Sequence, residues 1–429
     1  MLTTKTLPRT SLATLLWSIL FAFLLLWHSR TAASYDALPF YSRALAPLAL
    51  CLLATLLITW DQPLDGKAIL LIPAVILAFG VAAQAIWMKA WCTYVEVHPA
   101  LQRRWPQPEL RQSTWVIAAA FLLAIAGAAG LAWLNHKYRL EERYYLLVAF
   151  ILGTLPVAWL PLLVTSPWIY ELNKITYVIA MSAILNLPRF DRRERLKLVI
   201  SIAYTGLFLV PLLLKGESEI GSLLIIGATF FVLTLCHMSS VKRFLVGAAA
   251  ALPMITLLGV LIAGKKMMRR VDEWLHFMAW GADSQQYLGM RGVLMGGMFG
   301  GDRRYLSYVP EGDNDFIASV LVQCFGAIFG AVLILLVLAL VLLGLRTAFR
   351  ERDSLQRGMA FGFSVMLGVQ SLLMWGVNLV LLPISGNTQP WASSGGGALF
   401  AAFFMADILF LLFRKQYLES HPDGRRIKA

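Results

Sequence analysis

Runs of about twenty apolar residues recur along almost the whole chain, and they constrain its fold more than any other feature. A helix needs roughly 20 residues to cross the hydrocarbon core of a membrane, and in lipid only helices and closed barrels satisfy every backbone polar group. The runs lie at about 11–29, 44–60, 68–90, 114–134, 144–165, 173–187, 197–214, 220–237, 243–263, 316–346, 358–384 and 397–414. They predict an all-α polytopic integral membrane protein with about twelve transmembrane helices.

The composition agrees with a membrane protein and argues against several other classes. Hydrophobic residues make up 59% of the chain and charged residues 14%, whereas soluble domains are roughly 45–50% apolar and about 25% charged. The net charge of +13 comes largely from Lys and Arg in short loops, where they orient a membrane protein, so we expect no nucleic-acid partner. The four cysteines are scattered without CxxC spacing, so no zinc site, disulfide framework or other metal site is indicated.

The distribution of Lys and Arg predicts the orientation, because cytoplasmic loops carry an excess of both. With the N-terminus in the cytoplasm, the basic stretches 189–197 and 346–357 and the C-terminal tail lie inside. The segments 264–315 and 385–396 then lie outside. Segment 91–113, which carries Arg103, Arg104 and Arg111, departs from this pattern. We therefore expect both termini in the cytoplasm and a large extracytoplasmic loop at 264–315.

Two acids end the outer segment directly before the next apolar run. Asp313 and Asp315 stand where a helix is predicted to begin, and an acid in that place commonly caps the helix. The same carboxylate, partly desolvated at the boundary of water and lipid, could instead act as a general base. The residues alone leave both interpretations open. The preceding Gly-rich stretch 291–301 is either a flexible loop or a place of close backbone approach to a ligand.

Further polar groups stand at the predicted ends of spans. Glu171 and Lys174 are i, i+3 neighbours, so they form either a local ion pair of little energy or a functional pair, since ionisable residues near a span are costly. Glu219 begins the eighth span, where it either caps the helix or belongs to a site. The loop 382–397 is rich in Pro, Gly and hydroxyls, and irregular backbone at membrane depth predicts a re-entrant or cavity-lining role.

Several of these stretches occur in one order and spacing. Tyr308-Val309-Pro310-Glu311 precedes Asp315-Phe316-Ile317-Ala318 and Gly326, and Leu382-Pro383 precedes Gly386, Pro390, Ser393 and Gly395-Gly396, with Asn378 upstream. Glu171 with Lys174, and Glu219-Ile220-Gly221-Ser222, are partial matches to two further motifs. Together they resemble the SEDS family of FtsW/RodA/SpoVE-type peptidoglycan glycosyltransferases over about 166–414. Asn314, Gln323, Cys324 and Ser394 depart from the family pattern, so the chain resembles a divergent member.

The resemblance implies a domain organisation. The family usually has ten spans, so residues 1–110 are predicted to carry two additional N-terminal transmembrane helices. Residues 111–429 are then the SEDS-like transmembrane core, including the extracytoplasmic loop 264–315.

The resemblance also implies a reaction, in which lipid II is polymerised outside the bacterial cytoplasmic membrane. Asp315 would be the general base that deprotonates the acceptor 4-hydroxyl, and Lys174, oriented by Glu171, would hold the lipid pyrophosphate. The other substrate-binding candidates are Glu219, Arg291, Arg269, Arg270, Glu311, Ser393, Gly395 and Gly396. The cofactor is left open: a divalent cation such as Mg²⁺ could share the charge, but no ligand cluster in the sequence demands one.

Partners and rival functions follow from the same residues. The chain has no SxxK motif associated with SxN and KTG, the motifs of penicillin-binding proteins, so crosslinking would need a class B penicillin-binding protein as partner, besides lipid II and membrane lipids. A flippase or transporter of a lipid-linked saccharide would use similar buried charges, and a non-catalytic scaffold for a transpeptidase would tolerate the altered motifs. The sequence does not distinguish a role in elongation from one in division.

Overall fold

The structure is a computed structural model, and it covers most of the predicted helical core. It describes residues 26–97 except 28, 35 and 61, then 114–137, 151–163, 167–186, 194–215, 220–237, 264, 268–301 and 309–420. The predicted spans at 11–29 and 243–263 lie wholly or almost wholly outside these residues, as do Glu219 and Tyr308.

The described part of the chain is helical and contains no strand. Its principal helices are α1 (Leu38–Thr59), α2 (Leu64–Val97), α3 (Thr114–Lys137), α4 (Pro167–Leu185), α5 (Glu194–Lys215), α6 (Ile220–His237), α7 (Gln285–Gly296), α8 (Ile317–Phe325), α9 (Ala327–Arg350), α10 (Ser354–Asn378) and α11 (Gly396–Ser420). Shorter helical turns occupy Leu160–Leu162, Phe277–Trp280 and Gly281–Asp283.

Six helices among the described residues are long and apolar enough to cross a membrane. They are α1, most of α2 (Leu64–Thr93), most of α3 (Val116–Trp133), α9, α10 and α11, and α6 contributes a shorter apolar stretch, Gly221–Leu235. The predicted all-α polytopic membrane protein is thus confirmed, whereas the total of twelve spans stays a prediction.

Two predicted spans differ from the structure. The run 316–346 is two helices rather than one, because Gly326 between α8 and α9 has a φ of 93°, a conformation that favours glycine. The run 358–384 remains helical only to Asn378. There the amide N–H groups of Leu381 and Leu382 turn back to the Gly376 carbonyl, and Val380 takes the left-handed conformation usually given to glycine. Without a glycine at 380, the sequence carried no signal for this helix end.

The helices differ in how deeply they are buried. In α2 about 89% of the apolar window lies inside the molecule, against 28% in α9. Helix α10 packs against α4, α6 and α9, and α11 packs against α2, α3 and α4. Helices α2, α10 and α11 therefore form the interior, and α9 presents most of its surface outward.

The bundle has two chemically distinct ends. At the polar end lie residues 268–301 and 309–316 together with the loop 379–395. At the opposite, basic end, Arg346 pairs with Asp65 at 2.6 Å, and the buried Glu351 accepts a hydrogen bond from Lys415 at 3.0 Å. The prediction that 264–315 and 385–396 share one side is consistent with this arrangement, because the described parts of both lie at the polar end.

Candidate functional site

A tight turn over residues 309–316 carries the two acids and leads into α8. The Glu311 carbonyl accepts hydrogen bonds from the amides of Asn314 and Phe316, both at 3.0 Å, and Glu311 itself takes a φ of 50°. Helix α2 supports the turn, since the Trp87 indole N–H donates to the Val309 carbonyl at 2.7 Å. Gly312 lies against the same indole, where a side chain would collide with it. The turn is therefore held by α2 rather than free in solvent.

Asn378, the last residue of α10, joins this turn to α8. Its Nδ2 donates to the Asp315 carbonyl at 2.8 Å and to the Met374 carbonyl at 2.9 Å. Its Oδ1 accepts from the amide and the hydroxyl of Ser319, both at 2.9 Å. The side chain is almost fully buried, so the backbone of Asp315 has a defined position relative to α10.

Asp313 is committed to an internal contact. Its carboxylate Oδ2 accepts a hydrogen bond from the Ser394 hydroxyl at 2.7 Å, and its carbonyl accepts from the Ser394 amide at 2.7 Å. The side chain of Asp313 is buried. Ser394, one of the departures from the family pattern, thus has a structural partner in Asp313.

Asp315 is half-buried, and its carboxylate interacts electrostatically with Arg270. Burial lowers the pKa of the Arg270 guanidinium, and the Asp315 carboxylate opposes that shift by favouring the charged form. Arg270 also donates to the Ile384 carbonyl at 3.2 Å, and Trp274 nearby donates to the Val380 carbonyl at 2.8 Å. The helical segment 268–275 therefore brings a positive charge to Asp315 while it rests on the loop after α10.

The loop 379–395 folds back into the bundle, as its composition predicted, with most of 385–394 buried. The Ser393 hydroxyl donates to the Asn314 carbonyl at 2.8 Å and accepts from the Gln389 amide at 2.7 Å. From α2, Gln84 donates to the Ala392 carbonyl at 2.6 Å. These contacts join the closing motif to the acidic turn.

The glycines at the start of α11 serve close packing. Gly395 has a φ of 128°, and a side chain on Gly396 would come within 2.7 Å of the Trp168 ring. Gly395 therefore allows the positive φ before α11, and Gly396 lets α11 begin directly against Trp168 of α4.

Glu171 and Lys174 form the ion pair that their spacing predicted. Lys174 Nζ lies 2.7 Å from Glu171 Oε1, and both side chains are largely buried. Ser182 and Val178 of α4 lie against Gly358 and Gly362 of α10. Helices α4 and α10 thus run antiparallel with a fixed offset. If that offset continues toward the polar end, Gln370 of α10 lies opposite Tyr170 and Glu171 of α4.

Gln370 connects this part of α10 to the loop 379–395. Its Nε2 donates to the carbonyl and the hydroxyl of Thr388, both at 3.0 Å. Gln370 therefore ties the loop that carries Ser393 to α10, the helix that packs against α4.

Several buried polar atoms of this region have no hydrogen-bond partner among the described residues. They are both side-chain polar atoms of Asn173, Oε1 of Gln370, Oε1 of Gln389, Oδ1 of Asn314 and Nε1 of Trp391. A buried polar atom without a partner is costly, so such a group commonly faces water or a polar ligand.

The structure places some of the predicted site residues at one end of the bundle and the others elsewhere. Asp315, Arg270 and Ser393 all lie at the polar end, and Lys174 and Glu171 form a largely buried pair on α4. Arg269 and Arg291 are exposed, and Glu311 is half-buried in the turn. Among the residues described, no group of three or more His, Cys, Asp or Glu is placed to hold a metal ion.

The residues that support the site are not part of the site predicted from the sequence. They are Gln84, Trp87, Ser319 and Gln370, and Asn378 enters the prediction only as a motif match. Gln84 and Gln370 carried a usable signal, because an amide inside an apolar run is unusual. Trp87 and Ser319 carried none, because both residue types are common in such runs.

Comparison with known proteins decides the family. A family model for FtsW, RodA and SpoVE, described as "Cell cycle protein", matches residues 157–417. The chain belongs to this family. The matched residues include Lys174, Asp315, Asn378 and Ser393, so the contacts described above lie within the shared region.

Individual relatives agree with that assignment. The chain is 27% identical over 248 residues to a probable peptidoglycan glycosyltransferase FtsW of Geobacter sulfurreducens, covering 56% of this chain and 65% of the relative. It is 26% identical to that of Francisella salina, covering 70% and 78%. A 114-residue stretch is 33% identical to the peptidoglycan glycosyltransferase RodA of Mycobacterium leprae, covering 27% and 24%. The match thus spans just under two thirds of the Geobacter relative.

A solved structure shares the fold. It is a chain from work on the "Structural coordination of polymerization and crosslinking by a peptidoglycan synthase complex", and it superposes with a TM-score of 0.59 and 21% identity, covering 81% of this chain and 97% of that chain. At this identity the likeness concerns the fold alone.

Proposed function

We propose that this protein is a peptidoglycan glycosyltransferase that extends glycan strands from lipid II, with Asp315 as its general base. The observation that carries the proposal is the position of Asp315. Its backbone is held by Asn378, its carboxylate interacts electrostatically with Arg270, and it stands at the polar end of the bundle. The names of the relatives point to the same reaction.

In this reaction the 4-hydroxyl oxygen of the acceptor sugar attacks C1 of the donor sugar. A glycosidic bond forms at C1, the bond from C1 to the pyrophosphate oxygen breaks, and the lipid pyrophosphate leaves with the electron pair. Asp315 accepts the proton of the attacking hydroxyl, a contribution typically worth about 10²–10⁴-fold in rate. Asp313 is the poorer base because it is buried and bonded to Ser394.

Cations stabilise the charge that develops on the pyrophosphate, commonly a large catalytic effect. Lys174 is the buried candidate, with Glu171 as its orienting partner, and Arg270 is the candidate next to Asp315. Polar atoms that lack a hydrogen-bond partner within the described part of the chain, on Asn173, Asn314 and Gln389, are available for hydroxyl and phosphate groups of the substrate. Glu219, Arg269, Arg291, Glu311 and the chain's Gly395 and Gly396 remain weaker candidates for substrate contact.

The decisive experiment compares single acid-to-amide variants of the purified protein in a lipid II polymerisation assay. Asp315→Asn is expected to lose most of the activity, and Asp313→Asn to retain more. Asp283→Asn, an exposed acid in the same outer segment, is the matched control and should polymerise like the wild type.

Two results would overturn the assignment. Full polymerisation by Asp315→Asn would remove that residue as the base. A wild-type protein that translocates a labelled lipid-linked saccharide across vesicles without polymerising it, even with a transpeptidase present, would favour a flippase.

We further propose that the polar end faces the outside of the bacterial cytoplasmic membrane, with both termini in the cytoplasm. The cluster of Arg346, Arg350, Arg352, Arg357 and Lys415 near the opposite end supports this orientation. A membrane-impermeant thiol reagent should label an Asp283→Cys variant in intact spheroplasts, and a fluorescent protein fused to the C-terminus should fluoresce. Labelling of Asp283→Cys only after lysis would reverse the orientation.

A class B penicillin-binding protein is the proposed partner. The matched structure comes from a peptidoglycan synthase complex that coordinates polymerisation and crosslinking, and the sequence lacks the KTG motif that accompanies SxxK and SxN in penicillin-binding proteins. Co-expression with each such protein of the source cell, followed by purification through a tag on this chain, tests the pairing. Failure of every candidate to co-purify or to raise polymerisation would count against it.

A further inference from the structure

The Gly-rich stretch of the outer segment builds a rigid turn rather than a flexible loop. After α7 ends at Gly296, the Gly300 amide donates to the Gly296 carbonyl at 2.9 Å and the Gly301 amide donates to the Gln323 carbonyl at 2.9 Å. Gly297 and Gly300 have φ values of 54° and 104°. Side chains on Gly296 and Gly300 would collide with carbonyls of α8. The glycines thus serve to seat this turn on α8.

The same turn is bonded to the first residues of α9. The Ala327 amide donates to the Gly297 carbonyl at 2.8 Å, and the Ile328 amide donates to the Met298 carbonyl at 3.3 Å. These two bonds cap the start of α9. The N-cap residue, Gly326, has no side chain that could accept hydrogen bonds from the first amides of the helix. The turn 297–299 therefore has the same depth in the molecule as the beginning of α9.

Large apolar side chains project from this fixed turn. Phe299 is 84% exposed, Met298 is 60% exposed, and Leu294 on the last turn of α7 is 70% exposed. The adjoining surface of α9 exposes Ile328, Val332 and Leu335, which share one helix face at i, i+4 and i+7. The apolar surface of the turn is therefore continuous with that of α9.

The length of α9 sets the depth of this surface in a membrane. The uninterrupted apolar run from Ala327 to Leu345, which precedes Arg346, spans roughly 28 Å at about 1.5 Å per residue. The hydrocarbon core of a bilayer is about 30 Å thick. With Arg346 at one boundary of the core, Ala327 and Ile328 lie at the other, and Met298 and Phe299 lie with them.

We propose that the turn 297–299 is a membrane anchor, which inserts Met298 and Phe299 into the acyl chains at the boundary of the outer leaflet. The occupant of this surface is the lipid bilayer, because the turn continues the outward face of a membrane span. The anchor would hold α7 and α8, and through α8 the acidic turn that precedes it, at a constant height relative to lipid-borne substrates. Insertion itself does not depend on the proposed reaction.

The test places an environment-sensitive fluorophore on the turn. Single cysteines at Met298→Cys, Phe299→Cys and the control Asp283→Cys are labelled with a nitrobenzoxadiazole reagent in a variant lacking Cys92 and Cys236. Cys51 and Cys324 are buried. The variant that lacks Cys92 and Cys236 but carries no new cysteine is treated with the same reagent, to confirm that these two buried thiols are not labelled. The full-length proteins, alone, are reconstituted in phosphatidylcholine vesicles with or without bromine on the upper acyl chain.

If the turn is inserted, fluorophores at positions 298 and 299 should emit at shorter wavelength than the fluorophore at 283. Brominated lipid should quench their fluorescence several-fold more strongly than that of the fluorophore at 283. Iodide in the aqueous phase should quench the fluorophore at 283 more strongly than those at 298 and 299. Equal iodide quenching at all positions would mean that the turn faces water and would overturn the proposal. Protection from both quenchers would mean that protein covers the turn, such as a second copy of the chain, and would overturn it as well. Because both residues are exposed, the variants should elute like the parent in size-exclusion chromatography.

Discussion

Among the single residues of the site, Asn378 has a side chain whose hydrogen-bonding capacity is fully used. Asn378 employs both N–H donors and both lone pairs of its amide, on Asp315, Met374 and Ser319. A buried amide satisfied in this way specifies one geometry, since neither a carboxylate nor an apolar group reproduces the pattern of donors and acceptors. Asn378 is therefore a positioning residue for the backbone of Asp315.

Asn378→Asp should be strongly destabilising. The change replaces two donated hydrogen bonds by carboxylate oxygens facing the carbonyls of Asp315 and Met374, a buried mismatch that costs about 1–3 kcal/mol or more for a charged group. We expect a lower midpoint of thermal unfolding in detergent together with loss of polymerisation. Asn186→Asp, at a half-buried position with a single bond to the Ser182 carbonyl, is the control and should change the midpoint less. Equal midpoints for both variants would contradict the positioning role.

Ser394 and Asp313 should behave as a coupled pair. Ser394→Ala removes the hydroxyl that donates to Asp313, and hydrogen bonds to charged groups contribute about 1.5–3 kcal/mol. Asp313→Asn removes the charge on the other side of the same bond. A double-mutant cycle on the free energy of unfolding should therefore show that the double variant loses less than the sum of the single losses. Additive losses would mean that the bond contributes nothing to stability.

Among the helices, the break between α8 and α9 separates an interior helix from an outward one. All of Ile317–Cys324 is buried, whereas α9 is largely exposed. Gly326 makes the break possible through its positive φ and through close contact with the Met298 carbonyl. The apolar run predicted a single straight helix over 316–346. Such a helix could not have its first part buried in the bundle and its second part exposed on the outer surface.

Gly326→Ala should destabilise this junction. An alanine at that φ carries strain of about 1–3 kcal/mol, and its Cβ would collide with the Met298 carbonyl. We expect a lower unfolding midpoint and reduced polymerisation, because α8 follows the Asp315 turn. Gly227→Ala is the matched control. That glycine is helical with open space around its Cα, and alanine gains up to about 1 kcal/mol of helix propensity, so stability should hold or rise. The same loss in both variants would refute the argument.

In the molecule as a whole, the N-terminal region takes part in the site. Helix α2 lies within residues 1–110, the part predicted to be additional to the family core, and that boundary stays a prediction. Yet α2 is the most buried of the six long apolar helices, and it donates hydrogen bonds to Ala392 and Val309. It therefore supports both halves of the site, the closing loop and the acidic turn.

Trp87→Phe should test that support with little change in bulk. The substitution removes the indole N–H that donates to the Val309 carbonyl while a ring still packs against Gly312. We expect a correctly folded protein whose polymerisation rate falls several-fold, since the turn bearing Asp315 loses one of its restraints. Trp280→Phe, in the outer segment and partly exposed, should keep the wild-type rate. An unchanged rate in Trp87→Phe would show that α2 merely packs there.

Apolar length and motif spacing were enough to predict the membrane fold and the family, whereas the assignment of Asp315 as the base stays a prediction. Apolar length is a local demand of the bilayer on each helix, so Leu38–Thr59 and Gly396–Ser420 were visible without any neighbour. The packed structure was needed to learn that Ser394 bonds to Asp313, that Arg270 bonds to the Ile384 carbonyl, and that Gly326 divides a run that looked continuous. These features rest on contacts between residues far apart in the chain, such as Ser394 with Asp313 and Gln84 with Ala392. Such contacts depend on how helices pack, which a single apolar run does not encode.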